Sequence, residues 1–191
     1  MKSYELAVTY KCNWNCDYCL VDTHKRKPKN FEDILTEIES FEENSSVTLS
    51  GGEPGTLSET EVKIIFDKLK EKNITIDLLT NGLFFEKHSQ YMKYIDEILY
   101  HCIEDLSLRK DIKKYDYDNL YYVMVITNKD LDKMSDILWY FEKYPEIKFL
   151  LSPDVKPGER ININKFLRLL KDYYTNINER TKNEFIRNIS K

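Results

Sequence analysis

Apolar positions along this chain alternate between short runs with strand character and longer stretches with helical spacing. The run from Tyr4 to Tyr10 alternates in part and ends at a cysteine-rich loop. From Asn30 a capping residue, acids in the first turn and Phe31, Ile34, Ile38 and Phe41 on one face predict a helix. Ser46 to Ser50 reads as a buried strand, cut short by Gly51-Gly52-Glu53-Pro54-Gly55. Ser58 and Glu61 have capping-box spacing, and Val62, Ile65, Phe66 and Leu69 form the stripe of a second helix. A third strand, Ile74 to Thr80, stops at Asn81-Gly82, and a short helix is expected over about Glu86 to Lys93. Asp96 to Ile103 is a fourth strand and Leu120 to Thr127 a fifth, separated by a polar loop with a short helix. Leu131, Met134, Leu138 and Phe141 mark the next helix, with Asn128 or Asp130 as its cap. Ile147 to Leu151 is a sixth strand ended by Ser152-Pro153, and a last helix starts at Asn162 or Asn164 and carries Phe166, Leu169, Leu170 and Tyr173.

The pattern is a strand followed by a helix, six times over. Such regular alternation implies an α/β fold with parallel strands, right-handed crossovers and outer helices. Six units are too few for the closed eight-stranded barrel, which leaves an open partial barrel or a doubly wound sheet. Residues 1–174 form one such domain, and residues 175–191 read as a polar C-terminal tail. At 191 residues and 41% hydrophobic content the chain can bury a core. It has no apolar run of about 18 residues, so no membrane span is expected. The segment MKSYELAVTY lacks the apolar centre of a signal peptide, which points to the cytoplasm, where clustered cysteines bind metal or do chemistry more often than they form disulfides. A net charge of −4 makes nucleic acid an unlikely partner. The basic run from His24 to Lys29 is either a solvated loop or a patch for an anionic substrate.

Against this background, three of the chain's four cysteines fall in one loop, Cys12-Asn-Trp-Asn-Cys16-Asp-Tyr-Cys19. Packing does not call for three thiols in eight positions, so they read as metal ligands. A structural zinc site or a fully ligated iron–sulfur cluster takes four protein ligands, so three leave a metal position open. Thiolates select iron–sulfur, zinc or copper(I). Ligands in parallel α/β folds bind at the carboxyl ends of strands. The cysteine loop, Gly51-Gly52-Glu53-Pro54 and Thr80-Asn81-Gly82 follow strands one, two and three, so they share one rim. Gly51 and Gly52 allow close backbone approach to a ligand. Glu53 suits an ammonium group, and Asn81 both donates and accepts.

At these residues the chain resembles the radical SAM superfamily. The match comprises Cys12, Cys16 and Cys19 with the aromatic Tyr18, then Ser50-Gly51-Gly52-Glu53-Pro54, then Thr80-Asn81-Gly82, and it extends to about Tyr174. The resemblance implies a partial (βα)6 barrel, a 4Fe-4S cluster held by Cys12, Cys16 and Cys19, and S-adenosylmethionine chelated to the fourth iron. It implies that Gly51, Gly52 and Glu53, with Pro54 beside them, contact the methionine ammonium, that Tyr18 lies near the adenine, and that Asn81 and the backbone of Thr127 belong to the cofactor site. An electron from an external flavodoxin- or ferredoxin-like donor then cleaves the cofactor to a 5'-deoxyadenosyl radical, which abstracts hydrogen from the substrate. The family's Gly-rich adenine motif is replaced here by Val125-Ile126-Thr127-Asn128, which puts side-chain contact there in doubt; His101, Ser107 and Arg109 are weaker site candidates, and Cys102 reads as packing.

The substrate is not legible from motifs. A single remaining cysteine, Cys102, excludes an auxiliary cluster. The tyrosines at 115, 117, 121 and 122 form either a recognition edge or a cover over the sheet. A chain this short has little material for a lid, so an open site and a peptidic or macromolecular substrate are expected. Alternatives are an activase of glycyl-radical enzymes, an enzyme of nucleotide precursors, a zinc module that borrows His24, or an iron–sulfur redox sensor.

Overall fold

A computed structural model describes residues 2–21, 26–101, 117–144, 148–154, 156 and 160–176. The strands are β1 (Ser3–Thr9), β2 (Ser46–Gly51), β3 (Thr75–Thr80), β4 (Glu97–His101), β5 (Leu120–Ile126) and β6 (Lys148–Pro153). Their order along the sheet is their order in the chain, and the pairings β1 with β2, β2 with β3, β3 with β4 and β5 with β6 are parallel. The helices are α1 (Phe31–Glu39), α2 (Glu59–Glu71), α3 (Leu83–Lys87), α4 (Met134–Lys143) and α5 (Ile163–Asn176). The α/β class and the parallel strand-helix repeat expected from the pattern are what the structure shows. No helix among the described residues is long and apolar enough to cross a membrane.

The chain divides into two compact units, one of residues 1–101 and 118–120, the other of residues 102–117 and 121–191. In the first, β3 and β4 alternate strictly in burial, and β1 and β2 do so in part. Leu6, Val8, Val47, Leu49, Ile76, Leu78 and Ile98 are almost wholly buried on one face. They share a core with Ile34 and Ile38 of α1 and with Val62, Ile65, Phe66 and Leu69 of α2. Each such side chain contributes about 1.5–3 kcal/mol on burial. The other face carries most of the strands' polar side chains, along with Ala7, Leu79 and Leu99. Glu5 lies opposite Thr48, Thr48 opposite Asp77, and Asp77 opposite Glu97, so three carboxylates occupy one row across four strands.

Helix starts follow local chemistry. Asn30 caps α1 by accepting from the Glu32 N–H at 3.4 Å. The capping box of α2 is complete: Ser58 Oγ accepts from the Glu61 N–H at 3.3 Å and Glu61 Oε2 accepts from the Ser58 N–H at 2.7 Å. The helix expected over Glu86 to Lys93 begins earlier, at Leu83, and gives way to a 3-10 turn over Ser89–Tyr94. Its N-cap is Gly82 in the left-handed region (φ 106°), with no side-chain cap to mark it in the sequence.

In the second unit β5 is buried at nearly every position. Tyr122 stacks near Phe149 at 5.8 Å between ring centroids. Tyr121 is buried as well, so two of the four tyrosines considered for a recognition edge are strand packing. Tyr115 lies outside the described residues, as do Cys102, Ser107 and Arg109. Strand β6 does not end at Leu151 but continues through Ser152 and Pro153, whose register partners are Val125 and Ile126. A proline is tolerated at a strand end because no ladder N–H is needed there. Asn162 caps α5 by accepting from the Lys165 N–H at 3.0 Å.

Candidate functional site

The three punctuated strand ends of the first unit meet, and the meeting is built of specific hydrogen bonds. Past a register shift between Ala7 and Thr9, the end of β1 is stitched to the turn after β2. The Gly52 N–H donates to the Thr9 carbonyl at 2.7 Å and the Glu53 N–H to the Lys11 carbonyl at 2.8 Å. Gly51 sits at φ 106°, which excludes most side chains. A Cβ on Gly52 would stand 2.1 Å from the Lys11 carbonyl oxygen. The close approach that the glycine pair permits is therefore first of all to the backbone leading into Cys12.

Glu53 is 1% exposed. Its Oε1 accepts from the Gly55 N–H at 2.9 Å and from Thr80 Oγ1 at 2.8 Å, and its Oε2 from the Asn81 N–H at 2.7 Å. Burial pushes the carboxyl above its ordinary range, outweighing those donors and the Phe84 N–H that pull it down. Glu53, expected to suit an ammonium group, also clasps the ends of β2 and β3. It also caps the 3-10 turn Pro54–Thr56, in which Pro54 is buried. Thr80, whose hydroxyl also accepts from the Gly82 N–H at 3.0 Å, enters the sequence reading only as the first residue of the triplet Thr80-Asn81-Gly82.

Asn81 closes the circuit. Its Nδ2 donates to Asn13 Oδ1 at 2.8 Å and to Cys12 Sγ at 3.8 Å, and its Oδ1 accepts from the Leu83 N–H at 3.4 Å. Cys12 Sγ also accepts from the Trp14 N–H at 3.4 Å. Nothing in the sequence marked Asn13.

Cys12, Cys16 and Cys19 are of intermediate exposure, and a turn closed by the Cys19 N–H on the Cys16 carbonyl, 3.1 Å, keeps the last two together. Burial pushes the Cys12 thiol up, the Trp14 N–H pulls it down, and the negative charges of Glu53, Cys16 and Cys19 add to the rise. A metal would reverse that balance, since a coordinating thiol is deprotonated. Among the described residues no group of three His, Cys, Asp or Glu is placed to hold one metal ion. A four-iron cluster takes its thiolates at separate irons, and three soft donors on one part-exposed loop fit it. His24, the possible fourth zinc ligand, lies outside the described residues.

Tyr18 is buried and meets His101 edge-on at 6.5 Å between centroids, and burial lowers the His101 pKa. Thr127 belongs to the second unit, where its N–H and Oγ1 both donate to Asp130 Oδ2, at 2.8 and 2.7 Å. Of the basic run, Arg26 stacks over the Tyr10 ring at 5.1 Å and Lys29 pairs with Glu37 at 2.7 Å.

A probable GTP 3',8-cyclase of Methanococcus maripaludis is 32% identical over 49% of this chain and 33% of its own length. GTP 3',8-cyclase of Staphylococcus aureus is 26% identical over 81% of this chain and 55% of its own. The chain thus spans about half the length, or less, of these curated relatives. Among solved structures, anSMEcpe with bound AdoMet superposes with a TM-score of 0.67 at 15% identity, covering 91% of this chain and 59% of that one. The same protein with AdoMet and Kp18Cys peptide gives 0.64 at 14% identity, covering 91% and 59%. These likenesses show the fold. The Radical SAM superfamily model matches residues 6–124, well over half the chain and a range that contains all three strand ends described above, so the protein belongs to the radical SAM superfamily, which implies a 4Fe-4S cluster and S-adenosylmethionine as cofactors.

Proposed function

We propose that Cys12, Cys16 and Cys19 hold the cluster and that the turn Gly51–Pro54, with Tyr18 and Asn81, shapes the S-adenosylmethionine site. When bound, the cluster supplies the electron for reductive cleavage of the cofactor to a 5'-deoxyadenosyl radical that takes hydrogen from the substrate. The observation that carries this reading is the direct bonding of all three strand ends around Cys12. The N–H groups of Gly52 and Glu53 are already used to hold the Lys11 segment, so an incoming ammonium, which needs acceptors, is met by the carbonyl groups of that turn. Glu53 acts on this arrangement from behind, fixing the turn relative to Asn81. Reduction requires an external flavodoxin- or ferredoxin-like donor.

The substrate is a peptidyl or protein group. The row Glu5, Asp77 and Glu97 runs across β1 to β4, of which the first three carry the site at their ends, and a polyanion would meet like charge there. A nucleotide is the second reading, favoured by the GTP 3',8-cyclase names of the curated relatives. One experiment separates them. The protein is reconstituted anaerobically, reduced with dithionite and given S-adenosylmethionine with either GTP or a pool of lysine- and arginine-rich peptides. The peptides are expected to stimulate 5'-deoxyadenosine formation. Stimulation by GTP alone would replace the substrate assignment, and no 5'-deoxyadenosine under any condition with the cluster intact would defeat the enzymatic reading.

A further inference from the structure

Asn81 is held in place at three points. Its backbone N–H is taken by the buried Glu53 carboxylate, its Oδ1 by the Leu83 N–H, and its Nδ2 by Asn13. An amide so anchored has little rotational freedom left, and the remaining Nδ2 hydrogen is directed at Cys12 Sγ. The distance, 3.8 Å, is long for an oxygen acceptor but within reach of the larger sulfur atom. The other donor to that sulfur, the Trp14 N–H, comes from the cysteine loop itself. Among the described residues, Asn81 is the donor that reaches it from a different strand end. Hydrogen bonds to thiolate sulfur are one of the levers that set an iron–sulfur potential, because they stabilise the more negative, reduced cluster.

We infer that Asn81 is a positioning residue of the cluster: its amide, braced by Glu53 and Asn13, fixes the Cys12 thiolate and raises the cluster's reduction potential. This rests on the reading of Cys12 as a cluster ligand. It shifts Asn81 from a cofactor contact, the role expected from the sequence, to a group acting through a ligand. The Glu53 clasp then has a purpose beyond packing, since it sets the amide's height above the cysteine loop.

The test is an EPR-monitored redox titration of the anaerobically reconstituted protein, with iron and sulfide assayed on every sample. Asn81→Leu, close in size and without donors, is expected to keep its iron while its midpoint potential moves negative. Asn81→Ala, smaller and free of steric conflict, is expected to move the same way and decides the matter should the leucine variant not load. Asn81→Gln, which keeps an amide donor, is expected to lie between these and the parent. An iron-replete Asn81→Leu or Asn81→Ala protein with the parent potential would overturn the inference, as would Asn81→Gln displaced as far as Asn81→Leu. A parent protein that takes up no four-iron cluster, or a Cys12→Ala protein that keeps an unaltered one, would instead defeat the underlying reading of the site.

Discussion

The dipeptide Thr-Asn ends a strand twice in this chain, at Thr80-Asn81 after β3 and at Thr127-Asn128 after β5, and the two copies do different work. In the first unit the Thr80 hydroxyl donates to a buried carboxylate and the Asn81 amide reaches a cysteine sulfur on another strand end. In the second unit Thr127 donates to Asp130, three residues on, and Asn128 bonds backbone: its Nδ2 donates to the Arg160 carbonyl at 3.1 Å and its Oδ1 accepts from the Asn162 N–H at 2.8 Å. The first arrangement joins three strand ends around a thiol. The second fixes the approach to α5. Local sequence is the same, so the neighbours decide: a glutamate after β2 and a cysteine after β1 turn a strand-end clasp into part of a reactive site.

The largest effect that could test this contrast is loss of a ligand. Cys16→Ala is expected to bring iron content down sharply and 5'-deoxyadenosine formation to background, measured by iron assay and chromatography. The protein should keep its far-ultraviolet circular dichroism, because Cys16 belongs to a part-exposed loop and not to the core. A variant with full iron and activity would remove the cysteine loop from the site.

Next comes the stitching itself. A Gly52→Val side chain would meet the Lys11 carbonyl oxygen at 2.1 Å and its carbon at 2.8 Å. Backbone must move to relieve that, at about 1–3 kcal/mol or more, or a fall in Tm of roughly 2–4 °C for each kcal/mol in a chain of this size. From the sequence, Gly52 reads as a residue facing the cofactor. The structure adds a second consequence: because Lys11 precedes Cys12, iron content should fall along with cofactor binding. Full iron with only weakened cofactor binding would mean that the glycine faces the ligand and not the neighbouring strand.

Gly52 shows what was legible in the sequence and what was not. The spacing of apolar residues located the strands because one face of each is buried, and the capping residues Asn30 and Ser58 located helices because their side chains act within three positions of themselves. The convergence of the three loops followed from the rule for parallel strands. What stayed hidden depended on distant partners or on their absence. Thr80 and Glu53 are 27 positions apart, so the fate of the carboxylate could not be read from Gly-Gly-Glu-Pro. The start of α3 carries a left-handed glycine in place of a capping side chain, which left its apolar residues without a marked beginning. Pro153 looked like a stop because a proline lacks a donor, yet at that end of β6 no donor is required.

The Glu53 clasp makes a smaller and signed prediction. Its carboxyl is raised in the folded protein by burial, so between the ordinary carboxylate range and that raised value the native state holds the proton more than the unfolded chain does. Stability contributed at this position therefore falls as pH rises through the window. Glu53→Gln cannot titrate. Its Tm, measured against the parent across pH, should shift in the variant's favour as pH increases, by no more than about 1.4 kcal/mol per unit, the ceiling for one proton. A difference that runs the other way would mean that the donors from Asn81, Gly55 and Thr80 outweigh burial, and that the clasp is stabilising because it is charged.

The smallest effect belongs to the second asparagine, and it returns to the pair of Thr-Asn ends. Asn128 is exposed and its partners are backbone groups before α5, so removing it forfeits two hydrogen bonds that water can partly replace. Asn128→Ala should cost about 0.5–1.5 kcal/mol, a shift of a few degrees in Tm, with iron content and cluster potential at parent values. Asn81→Leu should show the reverse profile, a potential that moves while stability changes less than the site does. If Asn128→Ala instead altered the potential, the strand-end clasps would be acting as one set and the special standing of Asn81 would be lost. If neither variant altered it, the thiolate would owe its setting to the Trp14 N–H and the cysteine loop alone.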